Sequence, residues 1–134
     1  MNGFAETLQQ APHLTLERFL ALQVRGSDNA RAVLRSLREN LRRRPEPHPE
    51  ALDCGLGLLR STDLRHRLAE VECPALWLLG ERDTLTPAGV ATDLAALAPH
   101  ARIDLLKGAA HAPFLSHADE SIAILHSFLD KTDE

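Results

Sequence analysis

The stretch ALWLLGERDTLTP, residues 75–87, runs five apolar residues into a glycine and then straight into Glu81, Arg82 and Asp83. An apolar run of that length, bounded by turn residues, fits a buried strand. Downstream, Thr86 and Pro87 read as the cap and first residue of a helix whose stripe is Val90, Leu94 and Leu97. ARIDLL (101–106) reads as a second strand, KGAAHAPFL (107–115) as a loop, and Ser116 with Asp119 as a capping box. The last helix then carries Ile122, Leu125 and Leu129. Strand–helix–strand–helix is the pattern of a parallel sheet covered by helices. Two strands do not make a stable sheet of that kind, so this half reads as the end of a larger one.

Working outward, residues before about 60 read as helices only. Thr15 is placed to cap a helix with Leu16, Phe19, Leu20 and Val24 on one face. RGSDN (25–29) breaks it, and Ser27 or Asp28 is placed to cap a second helix with Ala30, Val33, Leu34, Leu37 and Leu41. Pro45, Pro47 and Pro49 end that helix, because prolines forbid a continuing backbone ladder. Pro49 suits the first turn of a third helix carrying Leu52, Leu56 and Leu59. Asp63 starts a short helix with Leu64, Leu68 and Val71.

Composition bounds the function. At 134 residues and 44% hydrophobic, the chain has room for one real core. A net charge of −4 gives no overall basic footprint for nucleic acid. No run approaches the ~18 apolar residues of a membrane span, and MNGFAETLQQ (1–10) lacks a signal-peptide pattern; the default expectation is a cytoplasmic protein that binds neither membrane nor nucleic acid. Cys54 and Cys73 form no metal-ligand spacing and read as two small buried or half-buried thiols, unpaired.

In open parallel sheets, functional groups collect at the carboxyl ends of strands. Asp83 lies just past the first strand and His111 five residues past the second, on the same sheet edge. A carboxylate that fixes a histidine tautomer and stabilises its imidazolium is the supporting pair of a nucleophilic hydrolase. Gly108, Ala109, Ala110 and Ala112 leave the ring uncrowded. An acid after a strand also serves as a helix cap, and a loop histidine is often structural, so spacing alone leaves both readings open. Glu81 and Arg82 read as loop charges paired with each other.

PALWLLGERDTLTP followed by LLKGAAHAPFLSHADE resembles the last third of the α/β-hydrolase superfamily. There the acid follows a late strand and the histidine follows the final one in a G-x-x-H-x-P setting, matched here by Gly108, His111 and Pro113. ERFLALQVRGSDNARAVLRSL and GLGLLRSTDLRHRL resemble the cap and re-entry segments of one family within it, the pimeloyl-[acyl-carrier protein] methyl ester esterases of biotin synthesis. The resemblance implies an α/β fold: a helical cap (1–61) followed by the C-terminal part of an α/β-hydrolase parallel sheet (62–134). It implies a carboxyl-ester hydrolase that needs no metal or cofactor, with Asp83 and His111 catalytic. Phe19, Leu20, Ala21, Leu22 and Gln23, together with His111, would contact the substrate. Arg18, Arg31 and Arg35 would receive the acyl carrier protein that bears the pimeloyl methyl ester. Leu14 stands where the family can carry another arginine, which thins that contact set.

The basic stripe is also legible by itself. Arg31, Arg35, Arg38 and Arg42 recur at helical spacing opposite the apolar face, which suits an acidic partner or simply a solvated face. The hydrolase serine, by contrast, is missing. No G-x-S-x-G occurs; Ser27, Ser36, Ser61, Ser116, Ser121 and Ser127 lack the strand-to-helix turn, and Cys54 falls in mid-helix. The chain therefore reads as a C-terminal portion, expected to be inactive alone, with its own missing N-terminal half as a further partner. Other readings are another capped hydrolase (a lactonase or carbon–carbon hydrolase), a non-catalytic helical module for an acidic partner, or a metal site using His111, His117 and Asp83.

Overall fold

The computed structural model describes residues 6–8 and 10–131. The N-terminal stretch read as lacking a leader lies largely outside them. Two strands, β1 (Leu76–Gly80) and β2 (Arg102–Leu106), pair in parallel, with Leu76 opposite Arg102 and Gly80 opposite Leu106. A parallel pair needs a crossover, here α4 (Val90–Leu97), whose Leu94 is buried. Beyond β2 come a single turn, α5 (Pro113–Ser116), and then α6 (Ala118–Leu129). α5 packs on β1, and α6 packs on β2.

The described residues before the sheet include the helices α1 (Pro12–Val24), α2 (Ala30–Arg42) and α3 (Pro49–Ser61). α1 and α2 pack together, with Val24 and Val33 buried, and α2 reaches α5. α3 begins at Pro49, as a proline at the first helical position favours, but no residue of it is buried. Of its expected stripe, Leu52 and Leu56 are half-buried, while Leu59 is 79% exposed. A 3-10 turn (Arg65–Glu70) connects to β1 and packs against α4. At its start, Asp63 accepts from the Arg65 backbone N–H and guanidinium, and these bonds hold its carboxyl well below the usual carboxylate range. The charged form is thus favoured on folding; what stability it adds is present above the ordinary carboxylate pKa and lost as pH falls. Both groups are exposed, so the effect is small.

Several helix starts differ from expectation. Thr15 is not a cap: α1 begins at Pro12, and the buried Thr15 hydroxyl bonds back to the carbonyls of Thr7 and Ala11. Neither Ser27 nor Asp28 caps α2; Asn29 holds that position, and its side-chain amide donates to the Ser116 carbonyl instead. Thr86-Pro87 precedes a turn, and α4 starts only at Val90; the Thr86 N–H donates to Asp83 Oδ1. The Ser116–Asp119 capping box does not form. Ser116 closes α5, and its hydroxyl lies 3.3 Å from the Ala112 carbonyl and 2.8 Å from His117 Nδ1.

In α6 the faces are exchanged. Ile122, Leu125 and Leu129 remain exposed, while Ser121 is buried and Ile124 and Phe128 are half-buried. Both sets have helical spacing, so periodicity alone did not choose between them. Cys54 and Cys73 are free, as expected, but exposed rather than buried or half-buried.

Candidate active site

β1 ends in Gly80 for a steric reason. A Cβ there would collide with the carbonyl oxygens of Ala109 and Ala110, the loop that leads to His111. That close approach lets the charged turn lie directly against the histidine loop. Glu81 N–H donates to the Leu106 carbonyl at 2.9 Å and Arg82 N–H to the Ala109 carbonyl at 2.8 Å. Gly108 has φ +75°, the left-handed region that glycine adopts readily, and a side chain there would strike the Asp28 carboxylate.

The two loops bring Asp83 and His111 together. Asp83 Oδ2 lies 2.8 Å from His111 Nδ1, while Oδ1 accepts the backbone N–H groups of Leu85 at 2.8 Å and Thr86 at 2.9 Å. The Asp83 side chain is 5% exposed and that of His111 36%. A carboxylate is acceptor-only, so Nδ1 carries the hydrogen and Nε2 is left as a proton acceptor. The Asp83 turn fixes the carboxylate; the carboxylate fixes the ring.

α1 approaches the same loop. The His111 backbone N–H donates to the Gln23 carbonyl at 3.1 Å. Of the segment Phe19–Gln23, Phe19 and Leu22 are exposed, and Leu20, Ala21 and Gln23 are half-buried. Arg18, Arg31 and Arg35 are exposed and form no ion pair among the described residues. Arg38 and Arg42 converge on Glu17 of α1, at 3.9 and 3.4 Å, so half the basic stripe is engaged internally. A cleft of about 290 Å³ between the start of α1 and α3, lined in part by Pro12, His13, Pro47, Leu52 and Leu56, touches neither Asp83 nor His111.

Glu81 and Arg82 do more than the sequence indicated. They are 4.0 Å apart, but each has a closer partner. Glu81 Oε2 accepts the Gly108 N–H at 3.0 Å, and Arg82 Nη1 binds Asp28 Oδ1 at 2.6 Å and the Gly26 carbonyl at 3.1 Å. Arg82 and Asp28 are 54 residues apart in the chain, so no local pattern signals the pair. The metal arrangement of His111, His117 and Asp83 is not formed: His117 turns to Ser116 and lies 4.0 Å from Asp28.

No protein-family model matches the chain. Sequence comparison finds proteins named pimeloyl-[acyl-carrier protein] methyl ester esterase. The match from Xanthomonas campestris pv. campestris (strain B100) is 50% identical over 126 residues, covering 94% of this chain and 50% of that protein. One from Aliivibrio salmonicida (strain LFI1238) is 40% identical across all 134 residues, covering 51% of its length. The chain is related to these esterases. It spans about half the length of the curated esterases it matches. A second Xanthomonas esterase, from X. oryzae pv. oryzae (strain MAFF 311018), reaches 53% identity over 115 residues, 86% of this chain and 46% of that one. The crystal structure of a bromoperoxidase from Bacillus anthracis superposes with a TM-score of 0.78, covering 96% of this chain and 48% of that one at 24% identity. That likeness shows the fold, an α/β-hydrolase arrangement of sheet and helices, and nothing of the chemistry.

Proposed function

We propose that this chain supplies the helical cap (residues 1–61) and the acid–base part (62–134) of a cytoplasmic carboxyl-ester hydrolase. Its substrate is the methyl ester of an acyl chain carried on acyl carrier protein, the reaction that the names of its esterase relatives describe. The observation that carries the reading is the 2.8 Å contact between buried Asp83 and half-exposed His111, with Nε2 free to accept a proton.

In the reaction, Nε2 of His111 accepts the proton of a serine hydroxyl as its oxygen attacks the ester carbonyl. Asp83 stabilises the imidazolium that forms. The imidazolium then protonates the departing methoxide, releasing methanol and leaving an acyl-serine. Water, deprotonated by the same nitrogen, hydrolyses that ester and restores serine. No serine of this sequence stands in a G-x-S-x-G turn, so the nucleophile comes from outside these 134 residues. Phe19 to Gln23, beside the His111 loop, border the acyl chain; Arg18, Arg31 and Arg35 face the acidic carrier, with the rest of the esterase as second partner.

The test compares two polypeptides: this chain alone, and this chain joined to the remainder of an esterase relative. Methanol release from the carrier-bound methyl ester is expected only from the second. Turnover by the chain alone that disappears in His111→Ala would overturn the placement of the nucleophile. A joined, folded polypeptide that binds the carrier but releases no methanol would overturn the substrate.

A further inference from the structure

The connection between α1 and α2 is fastened at several points to the charged turn, the histidine loop and the end of α5. Arg82 Nη1 reaches Asp28 Oδ1 at 2.6 Å and the Gly26 carbonyl at 3.1 Å. Asp28 N–H donates to the Gly108 carbonyl at 3.2 Å, and the Asn29 amide to the Ser116 carbonyl at 3.0 Å. Gly26, at φ +90°, makes the sharp reversal that presents its carbonyl to Arg82. Three residues earlier, Gln23 accepts the His111 N–H. The histidine loop is thus held from one side by the charged turn and from the other by the end of α1.

We propose that Asp28 and Arg82 are positioning residues for His111, bracing the α1–α2 connection so that Gln23 and Gly108 keep the imidazole in line with Asp83. Arg82 is the pivot. Its backbone N–H is bonded to Ala109, its neighbour Asp83 holds the ring, and its guanidinium holds the helical segment. An exposed ion pair contributes little to overall stability, yet here it connects two segments that both touch the histidine. The pair therefore affects ring placement more than folding.

This inference rests on the Asp83–His111 reading, but its test needs no turnover. In the chain labelled with 15N-histidine, long-range 1H–15N spectra report the tautomer of each ring at fixed pH. His111 is expected in the Nδ1–H form. Arg82→Gln and Asp28→Asn each move its tautomer ratio toward Nε2–H by about two- to fivefold, the range an exposed ion pair supplies. Arg82→Lys, which keeps the charge, retains most of the original ratio. His126 on α6, away from the brace, is expected to stay unchanged in all variants. An unchanged His111 in both Arg82→Gln and Asp28→Asn overturns the brace while leaving the catalytic reading intact. An equal change at His126 also overturns it, since that reports general loosening. Absence of the Nδ1–H form in the wild-type chain would remove the Asp83–His111 reading itself, and the brace with it.

Discussion

Asp83 accepts three hydrogen bonds through two oxygens, two from its own turn and one from a ring 28 residues away. The turn bonds are local and follow from the sequence: an aspartate after a strand readily captures the N–H groups two and three residues on. That capture occupies one oxygen and leaves the second to meet His111. Gly80 belongs to the same device. Gly80→Ala would push a methyl group into backbone carbonyls that cannot move aside as a side chain would. It is expected to lower stability by at least about 2 kcal/mol, read as a fall in the urea midpoint, with His111 displaced from Asp83. A variant as stable as the parent would contradict the close packing of the two loops. The Asp83–His111 pair was legible because strand ends announce themselves in sequence. The Arg82–Asp28 contact was not, because it depends on how helices distant in the chain come to lie against the sheet.

At the scale of elements, helix positions were readable from apolar spacing, but their starts and their buried faces were less so. Thr15, Ser27, Thr86 and Ser116 all look like caps, yet Thr15 lies inside a helix begun at Pro12, Ser116 closes one begun at Pro113, and Asn29 and Gly89 hold the cap positions expected of Ser27 and Thr86. In α6 two apolar stripes compete, and contact with β2 decides between them. α3 has no buried residue, and the linker 43–48 leads into it with little support. Its amides are expected to exchange with solvent well ahead of those in β1 and β2; equal protection would contradict the isolation of α3. On α2, the stripe divides by partner. Charge reversal at Arg31 and Arg35 should weaken binding to acyl carrier protein, most strongly at low salt. Reversal at Arg42 should have the smaller effect, because Glu17 already engages it. Unchanged carrier affinity in the Arg31/Arg35 variant would remove those residues from the docking surface.

Across the whole molecule, several large apolar side chains are left exposed. β1 and β2 form a sheet of two strands, and Leu105, Ile122, Leu125 and Leu129 are exposed beside it. A two-stranded parallel sheet is normally covered on both faces, and the esterase relatives are about twice as long as this chain. The same surface makes the isolated chain prone to self-association. Light scattering is expected to find species larger than a monomer, and a monodisperse monomer would count against it. The central claim is that His111, oriented by Asp83, is the proton acceptor of an ester hydrolase. It is tested most directly in the polypeptide that joins this chain to the remainder of an esterase relative, by measuring kcat for methyl-ester hydrolysis. His111→Ala and Asp83→Asn are each expected to lower kcat by roughly 10⁴-fold or more. The double variant should be little worse than the poorer single one, because the two residues act as a unit. Full activity in either single variant, or losses that simply multiply in the double, would contradict the account.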